Sequence, residues 1–559
     1  VLNMLGEQSR IYDRFIPMML FIIGLLLFVP FLGSVHLFDW DEINFAEAAR
    51  EMILTGDYLR VYIDYQPFWE KPPLFLWMQA FSMHVFGINE FAARFPNAIC
   101  GAITLPVLFL IGRQLQGRTI GLLWPMMYAG SFLPHFYFKS GIIDPWFNLF
   151  IILGILLPKL PALKERFFAS IAISGICIGL AILTKGPVAY IMSAGTFFIF
   201  AILDYAIEKD VTRLIHAAKW TLGMTICAAL TAFLWFGLEI MQNGTWFINE
   251  FIRYQIRLFS TGDAGHSGPF YYHAIILLIG CFPASIFAFK KLVVRTSTTQ
   301  DIRLMMIVFW LTLILFSIVK TKIVHYSSLC YLPLTFLSSI AVKELLQKRE
   351  ISKGMIIGLS IGAFVWTMLL LIVPIIGLNV ASLLPMIKDE FARMNLTAPV
   401  SWSGYELSIG IVYFCIVMIS IYFLGKQQLL EKGLLLLCLS TMFGLMAFLP
   451  VIAPKIEGYT QASPISFYQS MIGKDVLIYP SGFKSYAHLF YANKLPPSDF
   501  PDYARLSDEE LLNGASKKPV FFIAKTKRAN EMQDDPRMEA IGEFHGFTVF
   551  RVKTTKMSN

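Results

Sequence analysis

The sequence predicts a polytopic α-helical membrane protein with about thirteen transmembrane helices and a small C-terminal α/β domain. Three observations carry that expectation. Of 559 residues, 56% are hydrophobic and 15% charged, whereas soluble globular chains carry roughly 25% charged residues. Apolar runs long enough to cross a bilayer as helix, about 17–25 residues, recur from near residue 15 to residue 453. Beyond residue 453 the pattern changes. The strand-like stretches DVLIYP (475–480), VFFIA (520–524) and FTVFRV (547–552) alternate there with polar, turn-rich segments. The chain thus divides into a transmembrane domain, 1–453, and an extracytoplasmic domain, 454–559.

The spans fall near 15–35, 93–112, 119–138, 144–158, 167–184, 187–205, 218–238, 271–289, 303–319, 325–342, 354–377, 405–425 and 434–453. The first lacks a small-residue cleavage site and is expected to stay as a signal anchor. Residues 73–88 are marginal for a span and are expected to lie on the outer surface or re-enter. With the N-terminus (Arg10, Arg14) in the cytoplasm, every even-numbered span then ends in a basic loop, as the positive-inside rule requires. Examples are Arg113 and Arg118, Lys159 with Lys164 and Arg166, and Lys290 with Lys291, Arg295 and Arg303. That arrangement puts the first outer loop, 36–92, and the tail on the same outer face. The formal charge of +8 resides in these short loops, so it does not mark a nucleic-acid partner. All seven cysteines lie in apolar segments without CxxC spacing, which argues for buried hydrophobes rather than zinc or disulfides.

Polar chemistry collects at the outer ends of the spans. Five carboxylates fall within residues 39–51, thirteen positions, beside a membrane boundary where desolvation is costly. Asp41 opens a short helix that Gly56 ends, either as its N-cap or as a general base, and the two roles are compatible. In Glu70-Lys71-Pro72-Pro73, Pro72 holds Lys71 extended and Pro73 enters the first turn of a helix. Lys71 then shares an anion, most simply a phosphate, with that helix N-terminus, or pairs with Glu70 at the interface. Asp144 precedes Pro145 at the start of the fourth span, a capping position. Lys185 sits in an outward turn, either snorkelling or contacting a ligand. The loop before the eighth span offers Arg253, Arg257, His266, Tyr271, Tyr272 and His273 as phosphate forks and sugar-stacking faces, without metal-ligand spacing for the histidines. Lys320, Lys322, His325 and Tyr326 form a basic outward loop that calls for an anionic ligand. Carboxylates for base work and cations for phosphate, without a nucleotide fingerprint, fit a lipid-phosphate-linked donor.

These segments resemble the GT-C glycosyltransferases of the protein O-mannosyltransferase and aminoarabinose transferase type, family 39 and its bacterial relatives. The matching motifs are Asp41-Glu42 with Phe45-Ala46-Glu47 and Arg50-Glu51-Met52, Phe68-Trp69-Glu70-Lys71-Pro72-Pro73-Leu74, Arg94-Phe95-Pro96, Asp144, Leu183-Thr184-Lys185-Gly186-Pro187, the His266/Pro269/Tyr271-Tyr272 loop, and Lys322 with Tyr326. The resemblance implies inverting hexosyl or pentosyl transfer from a polyprenyl-phosphate sugar at the outer (periplasmic) face of a bacterial inner membrane. The acceptor is a lipid, a protein or a glycan. Asp41 would be the catalytic carboxylate and Asp144 a second acid near the acceptor or a metal. Glu70, Lys71, Arg257, Lys322 and Tyr326 would serve the donor phosphate, and Glu42, Lys185, His266 and Tyr271 would contact substrate. Where aminoarabinose transferases carry a Glu-His pair, this chain reads Tyr254-Gln255; no cofactor is assigned, and a divalent metal stays open. A flippase for lipid-linked saccharides is the alternative. Its charges would be strung through the spans near the midplane, whereas here they gather at outer span ends.

Overall fold

The computed structural model describes residues 13–260, 267–293 and 299–553. Arg10, Arg295 and His266 lie outside the described residues. Among the described residues, nine helices are long and apolar enough to cross a bilayer: Glu90–Gln116, Phe167–Lys185, Val188–Glu208, Val211–Asn243, Gln300–Ile318, Val324–Lys348, Lys353–Leu378, Leu407–Leu424 and Leu430–Gly458. A bent pair, Phe132–Lys139 with Asp144–Lys159, makes ten if it counts as one span. The expectation of about thirteen uninterrupted spans is corrected accordingly. The remaining apolar runs fold as short or broken helices. Ile16–Phe28 has 13 residues. The run at 119–138 stops at Ala129 and restarts at Phe132, then turns through 118° into the helix that begins at Asp144. The run at 271–289 is Tyr272–Gly280 followed by Ala284–Val293, interrupted before Pro283, whose missing N–H cannot continue an α-helical ladder. Hydropathy counts apolar residues and does not register such breaks.

Close helix packing relies on small residues, as is usual in lipid, where apolar burial gives helices no preference for one another. A Cβ added at Gly175 would sit 2.3 Å from Cys227 Cβ, and one at Gly179 would sit 2.4 Å from Thr231 Cβ. Phe167–Lys185 and Val211–Asn243 therefore approach backbone to backbone. Trp124, Tyr128 and Tyr331 fill the centre of the bundle and are fully buried.

The loop 36–92 forms a compact platform. Asp41–Thr55 ends at Gly56, which takes a left-handed conformation (φ +72°) that returns its N–H to Met52 O. A tight hairpin, β1 (Tyr62–Ile63) with β2 (Gln66–Pro67), follows. Next comes the helix Leu74–Phe86, in the place expected for the 73–88 surface segment. Its 13 residues give a length of about 20 Å, short of the ~30 Å hydrocarbon core.

The tail carries a four-stranded sheet in the order β3-β4-β6-β5, built from β3 (Leu477–Ser481), β4 (Val520–Lys525), β5 (Met538–Phe544) and β6 (Phe547–Val552). β3 and β4 run parallel, with Ile478 opposite Phe521, and β4 and β6 run antiparallel, with Phe522 opposite Phe550. β5 went unread in the sequence because it is an edge strand with a mostly exposed, polar face.

The tail docks on the outer loop through buried polar contacts. Arg50 forks onto Glu47 at 2.7 and 2.8 Å and also donates to Asn493 Oδ1 and Lys494 O. Glu51 accepts the backbone N–H groups of Asp64 and Tyr65, Asp64 pairs with Lys494, and the Tyr65 hydroxyl donates to Lys494 O. Ser485 donates to Asp39 at 2.5 Å. The Phe45-to-Met52 motif thus clamps the platform to the tail.

Candidate active site

The platform, the adjoining ends of several helices and the tail enclose a cavity of about 430 Å³. Asp41, Glu70, Tyr254, His325, Tyr326 and Lys484 are on its wall. The helix start that delivers Asp41 is unusual. Trp40 occupies the N-cap with φ +76° and makes no side-chain cap bond, so Asp41 is the first helical residue and its carboxylate is released from capping. It meets His325, with Nε2 3.0 Å from Asp41 Oδ2. Asp144 likewise begins its helix after an N-cap, Ile143, that makes no side-chain bond. Its Oδ1 accepts from Lys185 Nζ at 2.6 Å and its Oδ2 lies 3.7 Å from His325 Nε2. The capping role is therefore corrected for both aspartates: Asp41 meets His325, Asp144 meets Lys185, and His325 stands between them.

His325 enters from the sequence only as part of a basic loop, with no role of its own. Its signal was its place in the basic outward loop beside Tyr326, which is too weak to single out one histidine. Burial would raise the Asp41 pKa, but the hydrogen bond and charge of His325, with Lys71 and Lys185 beyond, hold it well below the usual carboxylate range. Asp41 is therefore a carboxylate at any physiological pH.

Lys71 is buried, with Nζ 5.1 Å above the Tyr254 ring, and the Arg257 guanidinium lies 5.2 Å from the same ring. Tyr254 thus holds two cations close together, a contact worth about 0.5–2 kcal/mol each. The ion-pair partner of Glu70 is Lys484 of the tail, at 3.7 Å. Lys185 also lies over the Tyr326 ring at 4.9 Å. Its position follows from Gly186, whose φ of +101° suits glycine and whose added Cβ would stand 2.5 Å from Phe251 Cζ.

Other candidates take different positions. Lys322 is buried and donates to Phe316 O, Ser317 O and Val319 O at 2.9, 2.6 and 2.5 Å. An ammonium has three N–H donors, and all are spent on the C-terminal end of Gln300–Ile318. The phosphate role expected of Lys322 is corrected to helix capping. Glu42 reaches the cavity wall, yet its oxygens accept a two-nitrogen fork from Arg94, both at 2.8 Å, and the N–H groups of Phe38 and Gly141. Its site role is to anchor the platform to the second expected span. Tyr271 is exposed at the N-cap of Tyr272–Gly280, away from the cavity lining. Among the described residues no group of three or more His, Cys, Asp or Glu is arranged to hold a metal ion.

Fold and site together define an integral-membrane helical protein with an acid–histidine–lysine cluster beneath an extramembrane platform. Residues 70–236 match the family described as dolichyl-phosphate-mannose-protein mannosyltransferase. The chain is 25% identical over 346 residues to the undecaprenyl phosphate-alpha-4-amino-4-deoxy-L-arabinose arabinosyl transferase of Photorhabdus laumondii, covering 60% of each chain. It is 24% identical over 408 residues to the enzyme of the same name from Shewanella sediminis, covering 71% of each. The match spans about three fifths of the length of the Photorhabdus relative. ArnT from Cupriavidus metallidurans in the apo state aligns with a TM-score of 0.74 at 17% identity, covering 96% of this chain and 97% of that one. ArnT bound to undecaprenyl phosphate aligns with a TM-score of 0.71 at the same coverage. The fold is that of ArnT, and the resemblance read from the motifs holds.

Proposed function

We propose that this chain is a membrane glycosyltransferase that moves a sugar from a polyprenyl-phosphate donor to a lipid, protein or glycan acceptor at the outer face of a bacterial inner membrane. One observation carries the reading. Two carboxylates, Asp41 and Asp144, share His325 at the edge of a cavity where Lys71 and Arg257 crowd one aromatic ring. Asp41 takes the proton of the acceptor hydroxyl or amine as its oxygen or nitrogen attacks the sugar C1, and the C1–O bond to phosphate breaks on the opposite side, which inverts that carbon. Lys71 and Arg257 stabilise the departing polyprenyl phosphate by charge-assisted contacts. His325 and the Lys185–Asp144 pair fix the direction of the Asp41 carboxylate. The undecaprenyl phosphate bound by the Cupriavidus ArnT and the donor named for the Photorhabdus relative support this donor class.

That the loop 36–92 and the tail share one face draws support from contact and parity. The loop 36–92 and the tail touch through Arg50, Asp64 and Asp39, so an even number of crossings must separate them. The ten spans among the described residues between Glu90 and Gly458, with the bent pair counted as one, satisfy this. The flippase reading has less support, because the charged cluster sits at span ends beneath the platform. Mass spectrometry of lipid and glycoprotein fractions from cells with and without the protein tests the proposal. A sugar-sized mass lost from one fraction is the expected result, and identical masses in every fraction would count against transfer.

A further inference from the structure

A second cavity, of about 790 Å³, lies in the C-terminal domain between β3, the short helix Ala487–Tyr491 and the segments around residues 493–506 and 516–518. Nothing in the transfer chemistry uses it. Its inner wall is polar in a way that folding alone does not explain. His488 is 4% exposed, and neither of its ring nitrogens has a hydrogen-bond partner; the Ser485 backbone is near without reaching hydrogen-bond geometry. Tyr479 is 1% exposed, and its hydroxyl meets only the neighbouring Tyr503 hydroxyl, short of hydrogen-bond geometry. Buried groups of this kind are nearly always satisfied in native proteins, and each exception asks for an explanation. Both side chains line the cavity.

The rim is basic. Lys474, Lys494, Lys517 and Lys518 face Asp475 and Asp499. Lys518 pairs with Asp475 at 2.7 Å and Lys494 with Asp64, which leaves Lys474 and Lys517 without an ion pair among the described residues. Tyr503 adds an aromatic wall. Burial, with Lys494 and Arg505 nearby, pushes the His488 pKa well down. The neutral ring therefore presents one donor and one acceptor, which suits hydroxyl groups better than a bare anion.

We propose that this cavity is a binding site for an anionic saccharide, with His488 and Tyr479 meeting sugar hydroxyls and Lys474 and Lys517 meeting the charged substituent. The site adjoins the first cavity through one segment. Lys484 and Ser485 touch Glu70 and Asp39 of the active-site wall, and His488, three residues on from Ser485, lines the second cavity. A saccharide held there would be gripped within one short helix of the transfer site.

The test is ligand-observed NMR titration of the purified full-length protein with glucose 6-phosphate, glucose and inorganic phosphate. Glucose 6-phosphate should bind saturably, and Lys474→Ala/Lys517→Ala, which alters only rim lysines, should weaken it by about tenfold or more. Tyr479→Phe should weaken it severalfold while keeping the fold, and Lys71→Ala should leave it unchanged. Phosphate binding as tight as the sugar phosphate would reduce the site to an anion patch and overturn the proposal. So would equal affinity in the double-lysine variant, a loss with Lys71→Ala, or no saturable binding. The titration needs no donor lipid, so its failure would leave the transferase reading untouched.

Discussion

His325 sets the behaviour of Asp41 more than any other residue. The folded-state pKa of Asp41 is depressed, so its contact with His325 contributes stability that is present above the unfolded carboxylate value, about 3.9, and is lost as pH falls through the lower folded value. In His325→Gln the largest of the lowering influences goes while desolvation and the more distant Lys71 and Lys185 stay. The acid limb of the kcat profile should therefore move to higher pH, and superimposable acid limbs in the two proteins would remove His325 from this role. Lys71 makes a separate, quantitative case. Losing one charge-assisted phosphate contact costs about 1.5–3 kcal/mol, roughly ten- to a hundredfold. Lys71→Ala should lose that much donor use in an assay with a polyprenyl-phosphate sugar. Lys426→Ala, whose exposed side chain rests on Tyr422, should lose none. Equal activities would exclude Lys71. Asp41, Glu70, Lys71, Asp144 and Lys185 were legible from sequence because each breaks the apolar pattern beside a helix start or turn. Tyr254 and His325 were not, since an aromatic or a lone histidine in such a chain has ordinary packing uses.

At the scale of elements, the same basic loop supplies the histidine that meets Asp41 and a lysine that closes a helix end. Lys322 closes the end of Gln300–Ile318 with three donors, so Lys322→Met should lower thermal stability by about 1–3 kcal/mol for the carbonyls it orphans, with the KM for donor unchanged. A raised donor KM at unaltered stability would return Lys322 to the phosphate. Sequence pattern located the apolar elements well: Leu74–Phe86 and three of the tail's four strands, β3, β4 and β6, lie where the apolar runs and turn residues put them. It failed at interruptions within apolar runs. The breaks at Gly130–Ser131 and before Pro283 leave mean hydropathy unchanged while ending the hydrogen-bond ladder. It also failed at β5, where the edge position exempts one face from being apolar.

Over the whole molecule, the tail and outer loop act as one platform because their polar groups are satisfied only together. Arg50 is fully buried and divides its donors between Glu47 and the tail. No pairwise sequence signal links positions more than four hundred residues apart, so this docking was not legible beforehand. It does make a topological statement that labelling can check. In a cysteine-free background, an impermeant thiol reagent applied to intact cells should label Ile88→Cys and Asp502→Cys, both exposed, and should spare Lys426→Cys. Labelling of Asp502→Cys without Ile88→Cys, or the reverse, would separate the two parts of the platform across the membrane.

The account rests finally on the Asp41 carboxylate. Asp41 caps nothing, so Asp41→Asn keeps its size and hydrogen-bonding reach while removing the charge and the proton-accepting strength. The deciding measurement is sugar transfer from a polyprenyl-phosphate donor by the purified Asp41→Asn protein at matched expression and thermal stability. A loss of about 10²–10⁴-fold is expected, the usual worth of general-base assistance. Near-normal turnover in the variant would contradict it and move the base elsewhere, with Asp144 next in line.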